Sequence, residues 1–171
     1  MENSAIKPDK EARVKVYDLF EQLGIPYELI EHPPMFSEAD NEKCRVDRRA
    51  KVLKNLFLRN KERSNYYLLT LPLDKRADLV ALQKLLGEKK LSFGGEEELR
   101  EKLNIAPGSV SLLNIAGVDK AELVFLIDEE VFDYNVIGLH PNDNTATMAF
   151  SPEYLRAILE SYGADYRFVG L

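Results

Sequence analysis

Between two apolar runs, Val136-Ile-Gly-Leu139 and Met148-Ala-Phe150, the chain carries His140-Pro-Asn-Asp-Asn-Thr-Ala-Thr147. Polar side chains this dense between strand-like segments belong at a turn or sheet end, where they reach water or a ligand. Imidazole, amide and hydroxyl together can bind a polar substrate and relay a proton. The same residues also make an ordinary surface turn, so the segment needs a companion. Lys54 is one. It stands in Lys51-Val-Leu-Lys-Asn-Leu-Phe-Leu58, which otherwise reads as a mostly buried strand. Alternation puts Val52, Lys54, Leu56 and Leu58 on one face, and Leu53, Asn55 and Phe57 on the other. A Lys on an aliphatic face is costly to bury unless its ammonium meets an anion, a carbonyl or a cleft, or snorkels past the sheet edge. A third element, Asn104-Ile-Ala-Pro-Gly-Ser-Val110, joins Pro107, which fixes its own φ, to Gly108, which permits a left-handed turn. Such loops can present backbone N–H groups to an anion or carbonyl, and they also serve simply as connections.

The elements that hold these residues follow from periodicity. Ala12, Val16, Leu19, Phe20 and Leu23 form one apolar stripe, predicting a helix over 9–23 stopped by Gly24 and Pro26. Residues 27–30 read as a short strand, and Ser37-Glu-Ala-Asp40 as a capping box opening a second helix. Strands over 52–58 and 66–71, separated by a charged segment, predict a hairpin. Asp78 caps a helix that turns Leu79, Leu82, Leu85 and Leu86 inward and ends at Gly87. Glu96-Glu-Glu98 suits the start of another helix, ending near Leu103. Strands are expected over 110–114, 121–127, 136–139 and 145–150, then a helix opened by Ser151-Pro152 and an edge strand at 166–169. Strands and helices do not alternate strictly, so the class is α+β.

At 171 residues the chain suits one well-buried domain, over 9–171, with 1–8 as a tail. It has no run of 18 apolar residues, and its first eight lack the apolar centre of a secretory signal. Its single cysteine, Cys44, cannot close an internal disulfide, so a cytoplasmic location is expected. His32, His140 and Cys44 are too widely spaced for a zinc pattern, and no phosphate- or dinucleotide-binding fingerprint is present. Neither metal nor cofactor is therefore expected. The net charge of −6 is unevenly spread. Residues 43–63 hold nine basic and two acidic side chains, a local +7 that leaves −13 elsewhere. Such a patch can grip a phosphate backbone, or it can be a solvated charged face; its overlap with the Lys54 strand favours RNA.

In this order, Lys54-Asn-Leu-Phe-Leu58, Leu91-Ser-Phe-Gly94, Pro107-Gly-Ser-Val110, His140-Pro with Asn144, and Ser151-Pro152 resemble the prolyl-tRNA editing (YbaK/ProX-type) domain family. Glu31-His-Pro-Pro-Met-Phe36 fits as well, and the resemblance runs from about Asp9 to the C-terminus. It is greatest to free-standing enzymes that hydrolyse alanine from mischarged proline tRNA. One departure is Asn104, where family loops usually carry Gly; Asn tolerates left-handed geometry, so the loop shape should survive.

The resemblance implies a single domain built on a curved, mixed, mostly antiparallel sheet approaching a barrel, with helices outside. It also implies one cleft lined by Lys54, the Pro107-Gly108 loop and the His140 loop. Lys54, Gly108, Ser109 and His140 would be catalytic, with Asn144, Pro107, Thr147 and Phe57 against the substrate. Lys43, Arg45, Arg48, Arg49 and Lys51 would hold the tRNA(Pro) acceptor end, with prolyl-tRNA synthetase as a transient partner and neither DNA nor membrane involved. Alternatives from the sequence are the same fold acting on Cys- or Ser-charged tRNA, and a non-catalytic tRNA- or aminoacyl-binding module.

Overall fold

The ten-residue strand β2 (Lys51–Asn60) organises the computed structural model, which describes residues 10–105, 110–117 and 122–171. It turns into β3 (Tyr66–Pro72), and the two pair antiparallel along their length. Asn60 locks the turn, its Oδ1 accepting from the N–H groups of Ser64 and Asn65. The other edge of β2 has two partners at opposite ends. β6 (Ile137–Leu139) runs parallel to Lys51 and Val52, while β4 (Leu91–Phe93) runs antiparallel to residues 58–60. Residues 53–57 of that edge have no strand beside them among the described residues.

The sheet extends from β3 through β5 (Val124–Asp128) to β8 (Asp165–Val169), both pairings parallel. In the other direction it extends from β6 through β7 (Ala146–Phe150) to β1 (Glu28–Glu31), both antiparallel. The order is β1-β7-β6-β2-β3-β5-β8 with β4 on β2, so one mixed, mostly antiparallel sheet carries the fold. β1 and β8 are its ends, and the pairing path between them stays open among the described residues.

Strand alternation divides the core. Phe57, Phe125 and Ile127 point to one face, packing with Val16 and Phe20 of α1 (Lys10–Leu23), Leu103 of α4 (Glu96–Leu103) and Ile158 of α5 (Leu155–Ser161). Leu58, Leu69 and Leu126 point to the other, against Leu82 of α3 (Leu79–Leu86). Phe20 is fully buried, edge-on to Phe150 at 5.0 Å, and removing so large a ring from water contributes roughly 1.5–3 kcal/mol. Ser37 and Asp40 form the expected capping box on α2 (Glu38–Cys44).

Two expectations change, and one holds. Segment 110–114 is not a strand: residues 112–117 form a 3-10 helix, because local side chains take the backbone donors that a strand would need. Asn114 Oδ1 accepts from Ser111 N–H, and Ser111 Oγ accepts from Leu113 N–H. In α3 the stripe is narrower than expected, with Leu82 buried and Leu85 56% exposed. Asn104 keeps the left-handed geometry, at φ 53°. The tail at 1–8 and the residues Pro107, Gly108 and Ser109 lie outside the described residues.

Candidate functional site

The gap along the β2 edge becomes a cleft of about 230 Å³ lined by Lys54 and Asn55 of β2, Met35, Phe36 and Ser37 ahead of α2, and His140 directly after β6. Lys54 shares its strand face with Val52 and Leu58, which belong to two separate apolar clusters. It sits between them, half-buried, at an interruption in the packed surface. No hydrogen bond or ion pair joins its ammonium to a described residue; its charge is felt at Asp74. That carboxyl is held below its usual range, first by a hydrogen bond from Lys51 and to a smaller extent by the charge of Lys54.

Asn55 is oriented by its neighbours. Its Oδ1 accepts from Leu112 N–H at 3.1 Å, a pure donor that fixes which amide atom is oxygen, and from Thr70 Oγ at 2.7 Å. The Asn55 NH2 group therefore has no partner among the described residues and is available to the cleft.

His140 is set in one tautomer. Its Nδ1 lies 2.9 Å from the carbonyl of Ala146, which only accepts, so Nδ1 carries the proton and Nε2 keeps its lone pair. Burial holds the imidazole below its usual pKa, and the charge of nearby His32 acts in the same direction. The two rings are 5.9 Å apart. His32 is lowered by burial too; its Nδ1–H donates to Pro33 O, and its Nε2 accepts from the Thr147 hydroxyl at 2.8 Å.

The polar loop after His140 is not a surface turn. Asp143, Asn144 and Thr145 are all buried, and Arg13 of α1 buries with them. The guanidinium donates through Nε to Asp143 at 2.9 Å and through Nη2 to Thr145 at 2.6 Å, and reaches Glu31 at 2.9 Å. Burial alone would raise the Asp143 pKa; hydrogen bonds from Thr145 and Arg13 outweigh it and leave the carboxyl below its usual range. The Asn144 carbonyl accepts from Met35 N–H, tying the loop to the cleft wall. Both polar atoms of the Asn144 side chain are buried without a partner among the described residues.

The structure thus brings Lys54 and His140 to one cleft, joined by Asn55 and Phe36, and sets Asn144 and Thr147 behind its wall. Phe57 does not line the cleft. It stacks on Tyr66 at 5.8 Å and lies under Gly94, where a Cβ would meet its ring at 2.4 Å. Of the basic residues, Lys43, Arg45 and Arg48 are exposed, with no side-chain hydrogen bond or ion pair to a described residue. Arg49 pairs with Glu28, and Lys51 with Asp74 at 2.8 Å. A second cavity of about 320 Å³ shares Val52 and Leu73 with the cleft, and Glu38, Glu42, Asp47 and Asp74 make it acidic. It is therefore a poor seat for phosphate. Sequence reasoning assigned no site role to Arg13, or to His32 and Phe36 although both lie in the Glu31–Phe36 segment that carries the family resemblance. Arg13 carried a signal of its own: it falls on the helical face of Val16 and Phe20, where an unpaired charge would not be tolerated.

Among the described residues, no three His, Cys, Asp or Glu side chains are grouped to hold a metal, and no helix is long and apolar enough to cross a membrane.

Comparison with known proteins places this geometry. The family model for the aminoacyl-tRNA editing domain matches residues 32–158, which take in Lys54, His140 and the loop behind them. The prolyl-tRNA editing protein ProX of Acetoanaerobium sticklandii is 32% identical over 163 residues, covering 95% of this chain and 99% of its own. The mouse prolyl-tRNA synthetase associated domain-containing protein 1 is 30% identical over 159 residues, covering 91% and 94%. A crystal structure described as a candidate trans-editing enzyme for prolyl tRNA synthetase superposes with a TM-score of 0.67 at 20% identity, over 94% of this chain and 97% of that one. That last likeness concerns the fold.

Proposed function

Because the chain belongs to the aminoacyl-tRNA editing domain family, we propose that it is a trans-acting deacylase that hydrolyses alanine from mischarged proline tRNA. The observation that carries this reading is the pairing, in one cleft, of an ammonium with no hydrogen-bond or ion-pair partner among the described residues and an imidazole whose Nε2 is open. An aminoacyl ester is activated enough that positioning and a water suffice, with no covalent nucleophile. Lys54 orients the aminoacyl-adenosine end through its ester oxygen or a phosphate, and the Asn55 NH2 donates beside it. His140 Nε2, neutral because buried, accepts a proton from water as its oxygen attacks the acyl carbon. The ester bond to the ribose breaks, and the ribose oxygen leaves protonated, with the neighbouring 2′-hydroxyl as a carrier. Backbone N–H groups around Gly108 and Ser109 are the expected donors to the developing oxyanion. The Asn144 amide, unpaired among the described residues, offers a second position for water.

Selectivity is steric in this scheme. A cleft of about 230 Å³ is smaller than the roughly 300–1,000 Å³ of common small-molecule sites, so only the acyl end and its sugar enter. Exclusion of a pyrrolidine ring in favour of a methyl is the efficient direction for such a sieve. The exposed Lys43, Arg45 and Arg48 supply phosphate contacts for the acceptor stem. The test is deacylation by the pure protein of proline tRNA charged in turn with alanine, cysteine, serine and proline. Alanine should be released fastest and proline slowest. Fastest release of cysteine or serine would keep the chemistry and change the substrate; binding without any release would make the chain a recognition module.

A further inference from the structure

We propose that Phe36 is the platform on which the terminal base of the RNA stacks, an inference that rests on the ester-hydrolysis reading of the same cleft. Phe36 is 64% exposed, while its neighbour Met35 is 5% exposed, so the chain turns one apolar side chain inward and presents the next to solvent. Its backbone is fixed on both sides. Met35 N–H donates to Asn144 O, Phe36 N–H donates to Asp40 Oδ2 at 2.9 Å, and Ser37 caps α2. A rigid mount lowers the entropy lost when a ligand is held.

Among the described residues the Phe36 ring has no aromatic or cationic partner. Two other exposed rings do have ring partners, Tyr27 against Tyr17 and Phe20, and Phe132 against Phe168. Phe93, 61% exposed, lies away from the cleft. Phe36 alone of these lines the cleft with Lys54 and His140. The cleft is too small for an acyl group, a ribose and a base together, so the base lies at its mouth, where this ring is. Aromatic rings hold single-stranded nucleic acid by stacking on any base, because every base has a π-face.

The test is a cycle between the ring and the base. Acceptor-stem RNAs carrying an alanyl ester are prepared with a terminal adenosine or with an abasic terminal ribose. Deacylation is then followed with the wild-type protein, Phe36→Leu and Phe36→Trp, each shown folded by its thermal transition. On the adenosine substrate, Phe36→Leu should raise KM about 5- to 150-fold, the range for stacking one base, with kcat unchanged. Phe36→Trp should restore the wild-type KM. On the abasic substrate the wild type should already show the raised KM, and Phe36→Leu should add nothing. An equal loss on both substrates, or none on the adenosine substrate, overturns the platform while ester hydrolysis stands. Failure of the wild type to hydrolyse either substrate overturns the hydrolysis reading and the platform with it.

Discussion

Replacing Arg13 by Ala should be the most destabilising single change around the site. The Arg13 side chain is 5% exposed and that of Asp143 2%, so the substitution takes the guanidinium from a buried carboxylate that keeps its hydrogen bonds from Thr145. Removing one partner of a buried ion pair costs about 3–5 kcal/mol, because the other charge loses its compensation. At about 2–4 °C per kcal/mol for a domain of this size, the melting transition should fall by about 6–20 °C. Arg13→Lys keeps a charge but not the fork that spans Asp143, Thr145 and Glu31, and should fall between. Urea unfolding at several pH values gives a sharper test. In the wild type, Asp143 is depressed below its ordinary value, so its contribution is present above pH about 4 and is lost as pH falls through the folded value. In Arg13→Ala burial acts unopposed by the guanidinium, the carboxyl protonates more readily, and the gap from wild type should narrow in acid. A loss under about 1 kcal/mol, or a gap unchanged by acid, would refute a buried Arg13–Asp143 pair.

Other outcomes follow from the same geometry. Burial lowers the His140 pKa, so its neutral, base-competent form persists below pH about 6.5; the acid limb of kcat/KM should lie under that value and disappear in His140→Gln. A limb above pH 7 would assign the base elsewhere. Replacing Lys43, Arg45 and Arg48 together by Ala should flatten the slope of log K for tRNA against log salt by about 2–3, at 0.7–0.9 per contact, leaving amino-acid preference intact. An unchanged slope would place the RNA on another face. Gly138→Val should perturb activity through packing, since a Cβ there would come 2.8 Å from Thr147 Cγ2 and push on the hydroxyl that holds His32. Melting and activity should fall together, by about 1–3 kcal/mol in stability.

Much of this arrangement was legible in the sequence, and the limits have physical causes. The stripe of α1, the Ser37 capping box, the β2–β3 hairpin and the helix opened at Ser151 are local patterns, and local chemistry decides them. The position of Lys54 was legible because a cation in an aliphatic strand demands an explanation. The parallel pairings of β3 with β5 and β5 with β8 join residues far apart in the chain, and periodicity carries no information on partners. The same distance hid the neutralisation of Arg49 by Glu28 and of Lys51 by Asp74. The 140–147 segment was read as solvated because its residues are polar. Asp143 and Thr145 can be buried there because a guanidinium 130 residues away in sequence pairs with them, and residues 146–147 enter β7. Phe36 stood in a segment that resembles the family, but its exposure was not legible, because exposure of a ring is a property of the folded surface and not of its neighbours in the chain.

The central claim is that the Lys54–His140 cleft is where the ester is broken. The direct measurement is single-turnover deacylation of alanyl-tRNA(Pro) by Lys54→Ala beside the wild type, with melting curves recorded on the same preparations. Lys54 makes no hydrogen bond or ion pair with a described residue, so the variant should melt like the wild type. Its deacylation should fall to the rate without protein. Near-normal release of alanine by a folded Lys54→Ala protein would contradict the claim and move the chemistry out of this cleft.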